Sequence, residues 1–191
     1  MQHTNGKIVG TNSQGGSPFP AEGTFFSLNI GASPFIKLVT PVYAGKEETQ
    51  VGILGQGFDG ASVVKFGGTA ATTTELTGTT FIMATVPAGA ITGKVTVTTG
   101  STTLSTSATY KITPTLKTFT PSSGPVGTSV TITGTGLEQT TKVTIDKIVA
   151  SFMVDSDSQI TVTVPPGAGT GKIIVITKGG SASSSASFTV N

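Results

Sequence analysis

Short runs in which an aliphatic residue alternates with threonine or glycine recur along this chain, and that period of two narrows its fold most. The runs include Val51-Gly52-Ile53, Val95-Thr96-Val97, Val130-Thr131-Ile132, Val143-Thr144-Ile145 and Ile160-Thr161-Val162-Thr163-Val164. Alternation at this period places one set of side chains in a core and the other in water, as in a half-buried strand. No stretch sustains a helical apolar period for three turns. Gly- and Pro-containing turn clusters separate the runs at roughly 8–12 residues, the rhythm of a sandwich or barrel. Threonine suits the outward positions, because its branched side chain fits the pleated surface and its hydroxyl stays solvated. The expected class is all-β.

Composition then removes whole classes of function. Of 191 residues, 37 are Thr, 19 Ser and 26 Gly, while charged residues reach only 10%, against about 25% in ordinary soluble proteins. The eleven basic residues are all Lys, scattered singly, and the net charge is +2. A nucleic-acid surface clusters Lys and Arg, so no nucleic-acid partner is expected. A mean hydropathy of +0.22 without charge blocks argues against disorder. No apolar run approaches the roughly 18 residues of a membrane span. Cysteine is absent, which removes disulfides, thiolate zinc sites and thiol nucleophiles. Residues 1–20 lack the apolar core of a secretory signal. A removed leader, a piece of a longer protein and a cytosolic chain all fit that fact, although few charges among abundant Thr, Ser, Gly and Val is a composition common in secreted β-proteins.

The chain also repeats itself. At an offset of 79, Val51, Ile53, Gly55, Gly57 and Phe58 meet Val130, Ile132, Gly134, Gly136 and Leu137. At 78, Ile82, Ala84, Val86 and Pro87 meet Ile160, Val162, Val164 and Pro165, and Tyr110 meets Phe188. The offset drifts where Gly/Thr-rich loops absorb single insertions. Three segments follow: an N-terminal 1–33, a first copy at 34–113 and a second at 114–191. The short junction around Thr113-Pro114-Thr115 predicts a stiff link, since Pro biases the residue before it toward extended backbone. Expected core residues are Val51, Ile53, Phe66, Val86, Val97 and Tyr110 in the first copy. Those of the second are Val130, Ile132, Ile145, Val164, Val175 and Phe188.

The second copy opens with Phe119-Thr120-Pro121, turns at Gly124-Pro125-Val126-Gly127, and continues Val130-Thr131-Ile132-Thr133-Gly134-Thr135-Gly136-Leu137. This pattern resembles the IPT/TIG family of immunoglobulin-like domains. The first copy keeps Val51 to Phe58 but replaces the Gly-Pro turn by Tyr43-Ala44-Gly45-Lys46. The resemblance implies two tandem immunoglobulin-like β-sandwiches. The family serves receptor ectodomains, bacterial surface proteins, modules beside sugar-processing enzymes and transcription factors, so fold alone selects no function. Physically, Gly55 and Gly57, with Gly134 and Gly136, permit a bend that Phe58 or Leu137 then plugs. Pro87 and Pro165 end their strands because Pro cannot donate to a ladder.

Residues 1–33 differ. Gln2-His3-Thr4-Asn5-Gly6, Gly10-Thr11, Gly15-Gly16 and Gly23-Thr24-Phe25-Phe26-Ser27-Leu28 resemble one unit of the GloVer tandem repeat of large bacterial extracellular proteins. From Thr24 onward, Phe26, Leu28 and Ile30 share one strand face. Such a strand needs a backbone partner and a home for three large apolar side chains. It either packs back on the first sandwich or adds to an exposed sheet edge of a neighbouring copy, and Phe26, Leu28 and Ile30 are then the self-assembly residues.

Residues fit for chemistry are sparse. His3 is the single histidine. Glu47-Glu48 reads as a solvated hairpin tip, and Asp155-Ser156-Asp157-Ser158 as a plain turn, lacking the Gly and later Glu of a calcium loop. Asp59 is expected to make a local turn bond. The paired glycines Gly15-Gly16, Gly67-Gly68 and Gly179-Gly180 precede no helix and no Gly-Lys-Ser/Thr, so none cradles phosphate. Without Trp, an aromatic sugar platform is thin, and Tyr43 in the variant turn is the candidate ligand contact. No catalytic residues, metal site or cofactor are expected, and the chain is not expected to be an enzyme. The expectation is an extracellular or cell-surface structural or adhesive protein, assembling with itself as a filament by β-strand addition. The alternative is a polysaccharide-binding or spacer accessory module of a larger secreted protein, with cell-surface polysaccharide as partner.

Overall fold

The structure, a computed structural model, describes residues 7–12, 24–29, 33–41 and 43–191. Every regular element among them is a β-strand. Strands β1 (Lys7–Asn12) and β2 (Thr24–Asn29) pair antiparallel, with Lys7 opposite Asn29 and Asn12 opposite Thr24.

The first sandwich begins with β3 (Phe35–Thr40), β4 (Ala44–Gly45), β5 (Gln50–Gln56), β6 (Val63–Phe66) and β7 (Thr69–Ala70). It continues through β8 (Thr74–Thr77), β9 (Phe81–Thr85), β10 (Val95–Thr99), β11 (Thr102–Ser105) and β12 (Lys111–Ile112). One sheet is ordered β3-β5-β9-β8 and the other β11-β10-β6-β7, with a short parallel pair between β12 and β4.

The second sandwich repeats the plan. Its strands are β13 (Thr115–Thr120), β14 (Ser123–Gly124), β15 (Ser129–Thr135), β16 (Thr140–Ile145) and β17 (Ile148–Ala150). Then come β18 (Phe152–Ser156), β19 (Gln159–Thr163), β20 (Gly171–Thr177) and β21 (Gly180–Val190). Its sheets are ordered β13-β15-β19-β18 and β14-β21-β20-β16-β17. The long β21 does in one strand what β11 and β12 do in two.

Each core lies between the two sheets, where the alternating aliphatics point inward. All twelve residues expected in the cores are no more than 1% exposed, and Phe58 and Leu137 seal the corners at 2% and 0%. The glycines beside those corners have two separate jobs. Gly57 and Gly136 adopt φ of +84° and +68°, a region costly for other residues. Gly55 and Gly134 instead make room for the opening strand. A Cβ at Gly55 would lie 2.2 Å from the Phe35 carbonyl oxygen, and one at Gly134 2.0 Å from that of Thr115.

Hydroxyls do more than face water. Across the outer faces Thr98 pairs with Thr103 at 2.9 Å, Thr118 with Thr133 at 2.9 Å and Thr115 with Thr135 at 2.7 Å, the cross-strand contacts that stabilise a sheet. Two buried hydroxyls replace ladder bonds. Thr106 Oγ1 accepts from the Val95 N–H (3.1 Å) and donates to the Ala108 carbonyl (2.7 Å). Ser184 repeats this with the Ile173 N–H (3.0 Å) and the Ala186 carbonyl (2.6 Å), beside the register shift between β20 and β21.

Candidate functional site at the domain junction

The turns at the end of the first sandwich meet those at the start of the second, and the link between them is held at every step. The Ile112 N–H donates to Thr92 Oγ1 (3.0 Å), the Thr113 N–H donates to the Gly45 carbonyl (2.9 Å), and Pro114 is buried. Across the junction, the Thr92 N–H donates to Gln139 Oε1 at 2.9 Å. Gly179 packs so closely that a Cβ there would lie 1.8 Å from the Ile112 carbonyl oxygen. Gly136 lies against the link as well, with Ile112, Pro114 and Thr113 all within 3.5 Å of where its Cβ would be.

The junction also brings two carboxyls together. Glu47, in the turn between β4 and β5, is half-buried and accepts from the Gly89 N–H at 2.7 Å. Asp157, in the turn between β18 and β19, accepts from the Gly136 N–H through Oδ2 at 3.3 Å. The Asp157 carboxyl lies beside that of Glu47. Asp157 Oδ1 is buried, with no further donor among the described residues. Burial first, and then the hydrogen bond to Asp157, push the Glu47 carboxyl up to about 7. The solvated tip expected at Glu47-Glu48 is therefore corrected at Glu47, because a turn exposed on an isolated sandwich is covered when a second sandwich docks beneath it. Glu48 stays exposed.

Other candidates fall elsewhere. Asp59 makes its local turn bond, accepting from the Ala61 N–H at 2.9 Å. Tyr43 has φ +52°, and its half-buried side chain packs against the first core. Strand β2 finds a partner for one edge in β1, with Leu28 opposite Ile8 and Phe26 opposite Gly10. Ile30 and His3 lie outside the described residues, as do Gly15 and Gly16. Among the described residues no three His, Cys, Asp or Glu side chains gather as a metal site. A separate groove of about 210 Å³ opens between β13 and β21, lined by Phe119, Ile132, Ile173, Ser184 and Ser185.

The junction pair was hidden in the sequence, although one signal marks it. In the repeat, Glu47 stands opposite Val126 and Asp157 opposite Thr79. Neither carboxylate of the pair is repeated at the matching position of the other copy.

Two sandwiches of one strand order, joined end to end, define a tandem immunoglobulin-like module. The IPT/TIG domain model matches residues 34–112 and 114–190, and the chain belongs to that family. A search of curated protein sequences returns no match. Among solved structures, the chain is similar to the surface glycan-binding protein PbSGBP-B from Prevotella bryantii, at 18% identity and a TM-score of 0.56, over 82% of this chain and 42% of that one. It is similar to SGBP-B from a xyloglucan utilization locus in Bacteroides uniformis at 20% identity and TM-score 0.38, over 83% and 50%. The plexin A4 extracellular region matches at 24% and 0.41, over 83% and 18%. The chain thus spans half or less of each of these structures, and at these identities the likeness concerns fold alone.

Proposed function

We propose that this chain is a non-catalytic spacer module of a longer extracellular or cell-surface protein, holding neighbouring parts at a fixed distance and angle. The observation that carries the reading is the junction, where the link is hydrogen-bonded twice to the first sandwich and Thr92 and Gln139 join the sandwiches directly. The burial of Tyr110, Phe58, Phe66 and Phe188 also supports it, since rings inside cores offer no platform to a sugar. The P. bryantii neighbour, described as a surface glycan-binding protein, supplies the setting in which such a spacer works.

The absence of cysteine makes the test clean, because spin labels attach only where a cysteine is introduced. Labels at the exposed positions Ser101→Cys and Val149→Cys should give one narrow distance distribution by double electron–electron resonance. A distribution broad at every pH would overturn the spacer reading. Sedimentation should show a monomer at all concentrations. A polymer lost on Leu28→Asp would favour filament assembly through β2 instead. The groove beside Phe119 favours a second reading, direct contact with polysaccharide. Binding on a glycan array that Phe119→Ala abolishes would select it.

A further inference from the structure

We propose that Glu47 and Asp157 form a proton-operated latch between the two sandwiches, closed while they share one proton and opened when that proton passes to solvent. The inference rests on the spacer reading above and adds a means of regulating its stiffness. Each carboxyl is anchored to its own domain, Glu47 through the Gly89 N–H and Asp157 through the Gly136 N–H. Neither can swing away without giving up a backbone donor. Between them no other donor reaches Asp157 Oδ1 among the described residues. Two carboxyls held side by side in this way can hydrogen-bond only when one of them carries a proton, and the pair then titrates as a unit.

The surroundings favour that proton. The charges acting on Glu47 are Asp157 and Glu48, both negative. Lys46 stands next to Glu47, Asp155 two residues before Asp157 and Glu138 two residues beyond Gly136, and all three are exposed. With both carboxyls ionised, two like charges would face each other in a partly dry junction, which disfavours contact. The sign follows. A carboxyl whose folded value is raised from 4.5 to about 7 retains its proton in the docked state after the undocked state has released it. Docking is therefore strongest in acid and weakens as pH rises through that window.

The same labelled chain tests this in chelator-containing buffer. The wild-type distribution should be narrow at about pH 5.5 and broader at about pH 8.5, on either side of the raised value. Glu47→Gln should stay narrow at both, because its oxygen keeps the Gly89 N–H while its amide donates to Asp157 without a titratable proton. Asp157→Asn should behave alike. Equal widths for the wild type at both pH values, both narrow, would overturn the latch and leave the spacer standing. So would Glu47→Gln broadening as the wild type does. Broad distributions throughout would sink both readings.

Discussion

Tyr110 and Phe188 fill the same place in the two cores and differ by one oxygen. Tyr110 sits edge-on to Phe66, ring centroids 5.4 Å apart, and its hydroxyl is buried with no hydrogen-bond partner among the described residues. An unpaired buried hydroxyl costs stability, whereas an apolar replacement of the same shape does not. Tyr110→Phe should therefore leave the first domain as stable or raise it by up to about 1 kcal/mol, read by denaturant unfolding. A clear loss would show that the hydroxyl has a partner. Burial also pushes this phenol up to about 12. The unfolded chain gives up the proton near 10 while the folded chain keeps it, so stability should fall as pH rises from about 10 toward 12. Tyr110→Phe should remove that alkaline slope.

At the scale of the element, the strands were legible because β-branched alternation and core burial are one phenomenon seen from two sides. Val51, Ile53, Val130 and Ile132 could be placed inward from spacing alone. What spacing could not convey was the shape of the opening strands. Both β3 and β13 shift register part-way, between Ile36 and Leu38 and between Leu116 and Thr118. Near those shifts their backbones press on Gly55 and Gly134, an approach that no alternation pattern records. Gly134→Ala should force β13 away and destabilise the second domain by about 1–3 kcal/mol, as overpacking does. Gly60→Ala, with nothing within 4 Å of its new methyl, serves as the neutral control. Equal thermal stability for the two variants would sink this account. The buried hydroxyls of Thr106 and Ser184 stayed hidden for a related reason. In a chain this rich in Thr and Ser, one that replaces a ladder bond looks like every other.

For the whole molecule, the sequence made the short link readable through Pro114 but not the contacts that surround it. Glu47 and Asp157 lie 110 residues apart, and only the docking of one set of turns on the other brings them together. Gln139 is another polar loop residue until its side chain is seen reaching the Thr92 N–H. Removing it should loosen the pair without unfolding either half. Gln139→Ala should broaden the inter-domain distance distribution while the melting of each sandwich stays within about 0.5 kcal/mol of the parent, as for a surface change. A distribution as narrow as the parent's would show that the link and the glycines hold the angle unaided.

Thr92 has a counterpart whose meaning reaches past the pair. Its hydroxyl receives the Ile112 N–H where the first sandwich hands the chain on, and Thr170 receives the Val190 N–H in the same way at 3.1 Å. The outgoing end of the second unit is thus tied as the first is. Each copy repeats the heading of its last strand, whereas the side chains of the joint, Glu47, Gln139 and Asp157, have no counterpart of their kind in the other copy.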